Sequence, residues 1–212
     1  VDAKLKKLRL VPSDLCTDEE FVRRVYLDVC GIAPSPEEAA AFLSDTDPAK
    51  RSKLIDQLLE RPEFVDLWTL KWNDTLRNNP QQTRIGVGPY HTWIREQIAQ
   101  NRPYDEFASE LITATGKNTS TVLTEEMLPP QVQVPNPRQL LARLNSGQFN
   151  AATNYYAVSK DPLDVTSATS QIFLGVRIEC ARCHNHPFEK WTQHDYYGLA
   201  AFFGNVAVRG GQ

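Results

Sequence analysis

Apolar residues recur three and four positions apart along most of the chain, with polar residues between them, the spacing of one face of a helix. In "TDEEFVRRVYLDV", Phe21, Val25, Leu27 and Val29 form a stripe behind Thr17, whose hydroxyl suits the cap of a first turn. "SPEEAAAFLSD" has Ser35 as N-cap, Pro36 at the first helical position and acids in the opening turn, where the peptide dipoles favour negative charge. "DPAKRSKLIDQLLERP" repeats that start with Asp47 and Pro48. It stops ahead of Pro62, because a proline disfavours helical backbone in the residue before it. "PEFVDLWTLKWNDTLRNN" then sets Phe64, Leu67, Trp68, Leu70 or Lys71, Trp72 and Leu76 near helical spacing. Residues 89–100 and 103–114 each open on proline and predict helices of about three turns.

The pattern lapses over residues 116–137, a long proline-rich loop with four prolines and a polar start. Loops of this length within a compact domain are usually functional covers or unstructured segments. Helical signals resume in "RQLLARLNSG" and around "DVTSATSQIFLGV". The last helix is "TQHDYYGLAAFFGN", with Tyr197, Leu199 or Ala200, and Phe203 facing inward. No segment shows sustained strict alternation with a hairpin turn, and no fixed-period repeat occurs. The expectation is an all-α fold, a single globular helical domain over residues 1–212.

Composition narrows the function. With 212 residues, 41% of them hydrophobic, the chain can build a sizeable core. A net charge of −3 supplies no electrostatic footprint for nucleic acid or an anionic membrane, so neither is expected as a partner. No apolar run approaches the ~20 residues of a membrane span, and the opening "VDAKLKKLRL" does not read as a signal peptide. Four cysteines are too few for a disulfide scaffold. A helix between Cys16 and Cys30 holds them roughly 20 Å apart, beyond disulfide reach, so both are read as buried thiols.

That leaves "ECARCHNHPFEKW" at 179–191. With four Cys and four His in the chain, C-x-x-C-H has a chance expectation of about one in 700, so it calls for a cause. Covalent haem c attachment accounts for the spacing. One short helical turn sets the sulfurs of Cys180 and Cys183 along one porphyrin edge and aims the adjacent His184 at the iron. A zinc site from Cys180, Cys183, His184 and His186 has suitable ligand types, but four ligands within seven residues hardly surround an ion, and no second Cys or His pair completes a half-site. A redox dithiol calls for a preceding strand in a βαβ pattern, which is absent.

The stretch "IFLGVRIECARCHNHPFEKWTQHDYYGLAAFF" closely resembles the signature of the planctomycete cytochrome-like domains of unknown function. Upstream, "RRVYLDVCGIAPSPEEAAAFLSD", "LIDQLLERPEF", "WTLKWNDTLR" and "NRPYDEFASELI" resemble further blocks of that family, from about residue 15 to 204. Cys30 and His194 depart from its pattern. The resemblance implies export, a periplasmic or otherwise extracytoplasmic address, and haem within a larger multidomain protein. It implies as partner a redox protein or a neighbouring cytochrome domain of the same polypeptide. The parent protein is expected to carry a signal sequence or anchor upstream, since bacteria form these thioethers outside the cytoplasmic membrane.

The distal iron ligand is open. His91, Met127 and His194 are candidates, each with a simpler reading as a surface or packing residue, and Tyr155 and Tyr156 are candidates to reach the iron or close over it. His186 is expected to turn away from the iron, since Pro187 pushes its backbone toward an extended conformation. Arg177 and Arg182 are either solvated charges or partners for haem propionates. The reading is a c-type haem (iron) protein for electron transfer. A haem enzyme with an open iron under the long loop, and a zinc-stabilised structural module, are the alternatives.

Overall fold

A computed structural model describes residues 2–81, 86–118, 136, 138–139, 147–159 and 161–206. Their structure is predominantly helical, as the periodicity predicts. Among the described residues the only extended pairing is an isolated parallel bridge between Lys117 and Phe149. The chain divides into two compact units, Val1–Trp68 and Thr69–Gln212.

The first unit holds α1 (Asp2–Leu8), α2 (Asp18–Cys30), α3 (Pro36–Ser44), α4 (Lys50–Leu59) and the start of α5 (Pro62–Thr75). Thr17 and Glu20 cap α2 reciprocally. The Glu20 amide donates to the Thr17 hydroxyl at 3.3 Å and the Thr17 amide to the Glu20 carboxylate at 3.1 Å. Ser35 and Glu38 do the same for α3, with Pro36 in its first turn. Gly31 ends α2 at φ 74°, and its N–H donates to the Leu27 carbonyl. A Cβ there would be strained by the positive φ, which is what calls for glycine, and would press on the tip of Leu67 at 2.9 Å.

The core of this unit is Val22, Val25, Tyr26, Cys30, Phe42, Leu54 and Leu58. Leu27, expected on the buried stripe, is 40% exposed. It lies about 140° around the helix from Val22 at 3.6 residues per turn, and Tyr26 fills the facing position instead. Both cysteines are free thiols. Cys30 is buried, with its thiol toward the Leu58 carbonyl at 3.6 Å, and burial pushes its pKa up; Cys16 is only half-buried. Leu58→Ala should cost about 2–5 kcal/mol, measured as a lower denaturant midpoint, since this side chain is 1% exposed.

Arg61 binds Glu38 at 2.6 Å and Glu63 at 2.8 Å, with its guanidinium 5.7 Å from the Tyr26 ring centre. The Arg61 hydrogen bond draws the Glu63 carboxyl from 4.5 down to about 2. Glu38 is lowered by the Ser35 amide and then by Arg61. A carboxylate with a depressed folded pKa stabilises above its unfolded value, and that contribution disappears as pH falls through the folded value. The Tm advantage of the native chain over Arg61→Met should therefore be full at neutral pH. It should shrink from about pH 4.5 toward about pH 2; a constant difference across that window would show that these charges do not carry it.

The second unit contains the rest of α5, then α6 (Val87–Ala99) and α7 (Tyr104–Thr113). After the turn Ala151–Thr153 come α8 (Asn154–Val158), α9 (Pro162–Phe173), a single 3₁₀ turn at Glu179–Arg182, and α10 (Gln193–Ala201). Its main core gathers Leu76, Tyr90, Ile94, Phe107, Leu111, Tyr155, Tyr156 and Phe203 with the smaller Ala152 and Val165. The buried face of α5 here is partly polar, through Thr69 and Asn73, while Leu70 is 59% exposed. Asn73 meets the Thr69 carbonyl at 2.6 Å and His91 Nδ1 at 3.0 Å, and its Oδ1 accepts from Asn78 at 2.7 Å. Satisfied amides of this kind replace the apolar stripe that spacing predicts. Met127, almost all of the 116–137 loop and most of "RQLLARLNSG" lie outside the described residues. Among the described helices none is long and apolar enough to cross a membrane.

Candidate functional site

The 3₁₀ turn Glu179–Arg182 carries the C-x-x-C-H residues, and the smallest residue in it anchors it. Ala181 is fully buried and packs in a small cluster with Ile178 and Tyr196. With Ala181 turned inward, Cys180, Cys183 and His184 are all exposed. The Cys180 carbonyl accepts the amides of Cys183 at 3.3 Å and His184 at 3.4 Å, so three reactive side chains share one hydrogen-bonded turn.

Helix α10 braces this turn. Thr192 and Asp195 form its capping box, and the Thr192 amide holds the Asp195 carboxyl below its usual range. That start places Gln193 and Tyr197 over the motif. The Gln193 side-chain amide and the Tyr197 hydroxyl each donate to the Arg182 carbonyl at 3.2 Å, and the Gln193 N–H donates to Asn185 Oδ1 at 3.0 Å. From below, the Tyr196 hydroxyl donates to the Leu163 carbonyl at 2.9 Å and lies 3.1 Å from Ser167 Oγ on α9. Sequence periodicity points Tyr197 inward. In the structure Tyr196 is the buried ring at 1% and Tyr197 is 46% exposed.

The two histidines have different environments. His184 Nδ1 lies 2.7 Å from the Asn185 carbonyl oxygen. A carbonyl only accepts, so Nδ1 carries a proton, and in the neutral ring the lone pair is on Nε2. This is the arrangement by which a ligating histidine is oriented and made more basic. His186 is half-buried, and its Nδ1 accepts the amides of Phe188 at 3.3 Å and Glu189 at 3.1 Å. Its proton is therefore on Nε2, and its own amide donates to the Trp191 carbonyl at 2.8 Å. As expected, His186 is turned into local hydrogen bonds.

The candidates for a distal ligand are dispersed. Tyr155 is buried in the main core with its hydroxyl 2.7 Å from Thr169 Oγ1, and burial pushes its phenol up to about 12. The Tyr156 hydroxyl donates to the Ile112 carbonyl. His91 is exposed on α6 with Nδ1 engaged by Asn73. His194 is exposed in the first turn of α10, and Met127 is outside the described residues. Arg182 makes a loose pair with Asp164 at 3.4 Å, and Arg177 is exposed. Among the described residues no three His, Cys, Asp or Glu side chains are grouped to hold a metal ion by themselves. Gln193 and Tyr196 were not singled out by sequence reasoning. Their only advance signal is the T-x-x-D cap, which starts a helix immediately after the motif.

The PSCyt2 family, described as a protein of unknown function (DUF1549), matches residues 1–208. No curated protein and no solved structure matches the chain.

Proposed function

The chain belongs to the PSCyt2 family, and from that premise we propose that it is an exported c-type haem protein. Its role is electron transfer within a larger cytochrome-like polypeptide of planctomycete type, with a neighbouring cytochrome domain or a redox protein as partner. One observation carries the proposal: His184 has Nδ1 donated to a backbone carbonyl and Nε2 open, on the same turn as two exposed thiols. These donors fit haem c. Each thiol would add S–H across a vinyl group, forming one C–S bond with no leaving group, and His184 Nε2 would ligate the iron. Bound haem would supply a one-electron couple at its iron.

The chain's own residues do the positioning. Ala181 and Tyr196 fix the turn from beneath, Gln193 and Tyr197 hold the Arg182 carbonyl from above, and the Asn185 carbonyl sets the imidazole. Arg182 is close enough to the surface to reach a propionate, since its present ion pair is loose. A zinc knuckle is the weaker reading, because His186 Nδ1 already accepts two backbone amides.

A second reading, a haem enzyme with an open iron site, draws on the commitment of the Tyr155 and Tyr156 hydroxyls to the core. Absorption spectra of the ferric and ferrous protein, purified from a host with cytochrome c maturation, separate the two. A six-coordinate low-spin spectrum is expected for electron transfer. A high-spin spectrum would replace that role with the open-site one.

A further inference from the structure

We infer that Phe188 covers the haem and that His186 is the residue that positions it, an inference resting on the haem c reading above. The segment Asn185–Trp191 is a closed loop with His186 at its hub. The His186 N–H donates to the Trp191 carbonyl at 2.8 Å, and its Nδ1 accepts the amides of Phe188 and Glu189. The Trp191 indole N–H donates to Glu189 Oε2 at 2.9 Å, and Asn185 is tied to the Gln193 amide. The loop is thus closed by four hydrogen bonds among His186, Phe188, Glu189 and Trp191, while its Phe188 ring is 92% exposed.

A bare ring on a fraying tail needs no partner, but a hydrogen-bonded loop holds this one in a fixed place against the hydrophobic effect. Residue 188 is four positions from His184, within about 14 Å even if the chain were extended. The fold-back from His186 to Trp191 shortens that reach. The one large apolar surface the motif itself would bring into this range is the porphyrin held by Cys180, Cys183 and His184. An aromatic ring laid on it excludes water from the iron's surroundings. Ferric haem carries one more positive charge than ferrous haem, so losing water disfavours the ferric state and raises the potential.

The test uses the haem-loaded full chain, with midpoint potential and the rate of imidazole binding to the ferric iron as readouts. Phe188→Ser and His186→Ala should each lower the potential and speed imidazole binding several-fold. Phe202→Ser, a similarly bare ring at 81% exposure, lies beyond the opposite end of α10 and should change neither. If Phe188→Ser matches Phe202→Ser, the inference is wrong and the haem reading stands; a wild-type chain without haem overturns both. Should Phe188→Ser fail to load haem, the NMR spectrum of the wild-type ferrous carbon monoxide form decides. Ring protons of Phe188 displaced by the porphyrin ring current support the inference, and unshifted protons overturn it.

Discussion

Replacing Cys180 and Cys183 together by alanine should release the haem completely. On a denaturing gel the wild-type chain should retain haem-dependent staining through acid-acetone extraction, and the double variant should show none. The fold should be kept, because both thiols are exposed and neither packs in a core. The turn is kept by backbone bonds to the Cys180 carbonyl and by buried Ala181, and alanine preserves both. Loss of covalent haem without loss of fold is thus the expected signature. A single substitution should leave one thioether, and with it reduced retention. A double variant that still holds haem through denaturation would place the attachment elsewhere.

The second large effect separates the two histidines. His184→Ala removes the exposed imidazole of the cysteine turn whose Nδ1 is held by a backbone carbonyl, so haem incorporation should fall sharply and the spin state should change. His186→Ala removes an acceptor from two loop amides, a change in the iron's surroundings rather than in its ligands. Covalent haem should survive, with a more modest effect on potential, as losses behind a metal ligand produce. Haem content and the electronic spectrum of both variants check this. If His186→Ala loses the axial ligand while His184→Ala keeps it, the assignment is reversed.

The starts of α2 and α3 were readable because their signals are local. Thr17 and Ser35 cap their helices as the sequence predicts, with Pro36 opening α3. Helix α4 instead begins at Lys50 behind Ala49 with no side-chain cap, later than Asp47 and Pro48 suggest. The inward face of α5 was hidden, because the Asn73 amide is satisfied there by His91 and Asn78, and His91 lies 18 positions away in sequence. The choice between Tyr196 and Tyr197 is a phase difference of about 100° on one helix, and two adjacent tyrosines do not resolve it.

At the candidate site, the C-x-x-C-H spacing and the local hydrogen bonding of His186 could be read from residue order. The partner of His184 Nδ1 could not. It is a backbone carbonyl, and every residue has one, so only the fold determines which carbonyl the ring meets. The same holds for the Arg182 carbonyl, where Gln193 and Tyr197 converge from α10.

The most direct test of covalent haem at this turn is a pyridine haemochrome assay with metal analysis. It is made on the denatured, acid-acetone-washed chain from a maturation-competent host. The account predicts one thioether-linked haem and one iron per chain, and no stoichiometric zinc. Colourless protein carrying one zinc per chain would contradict it.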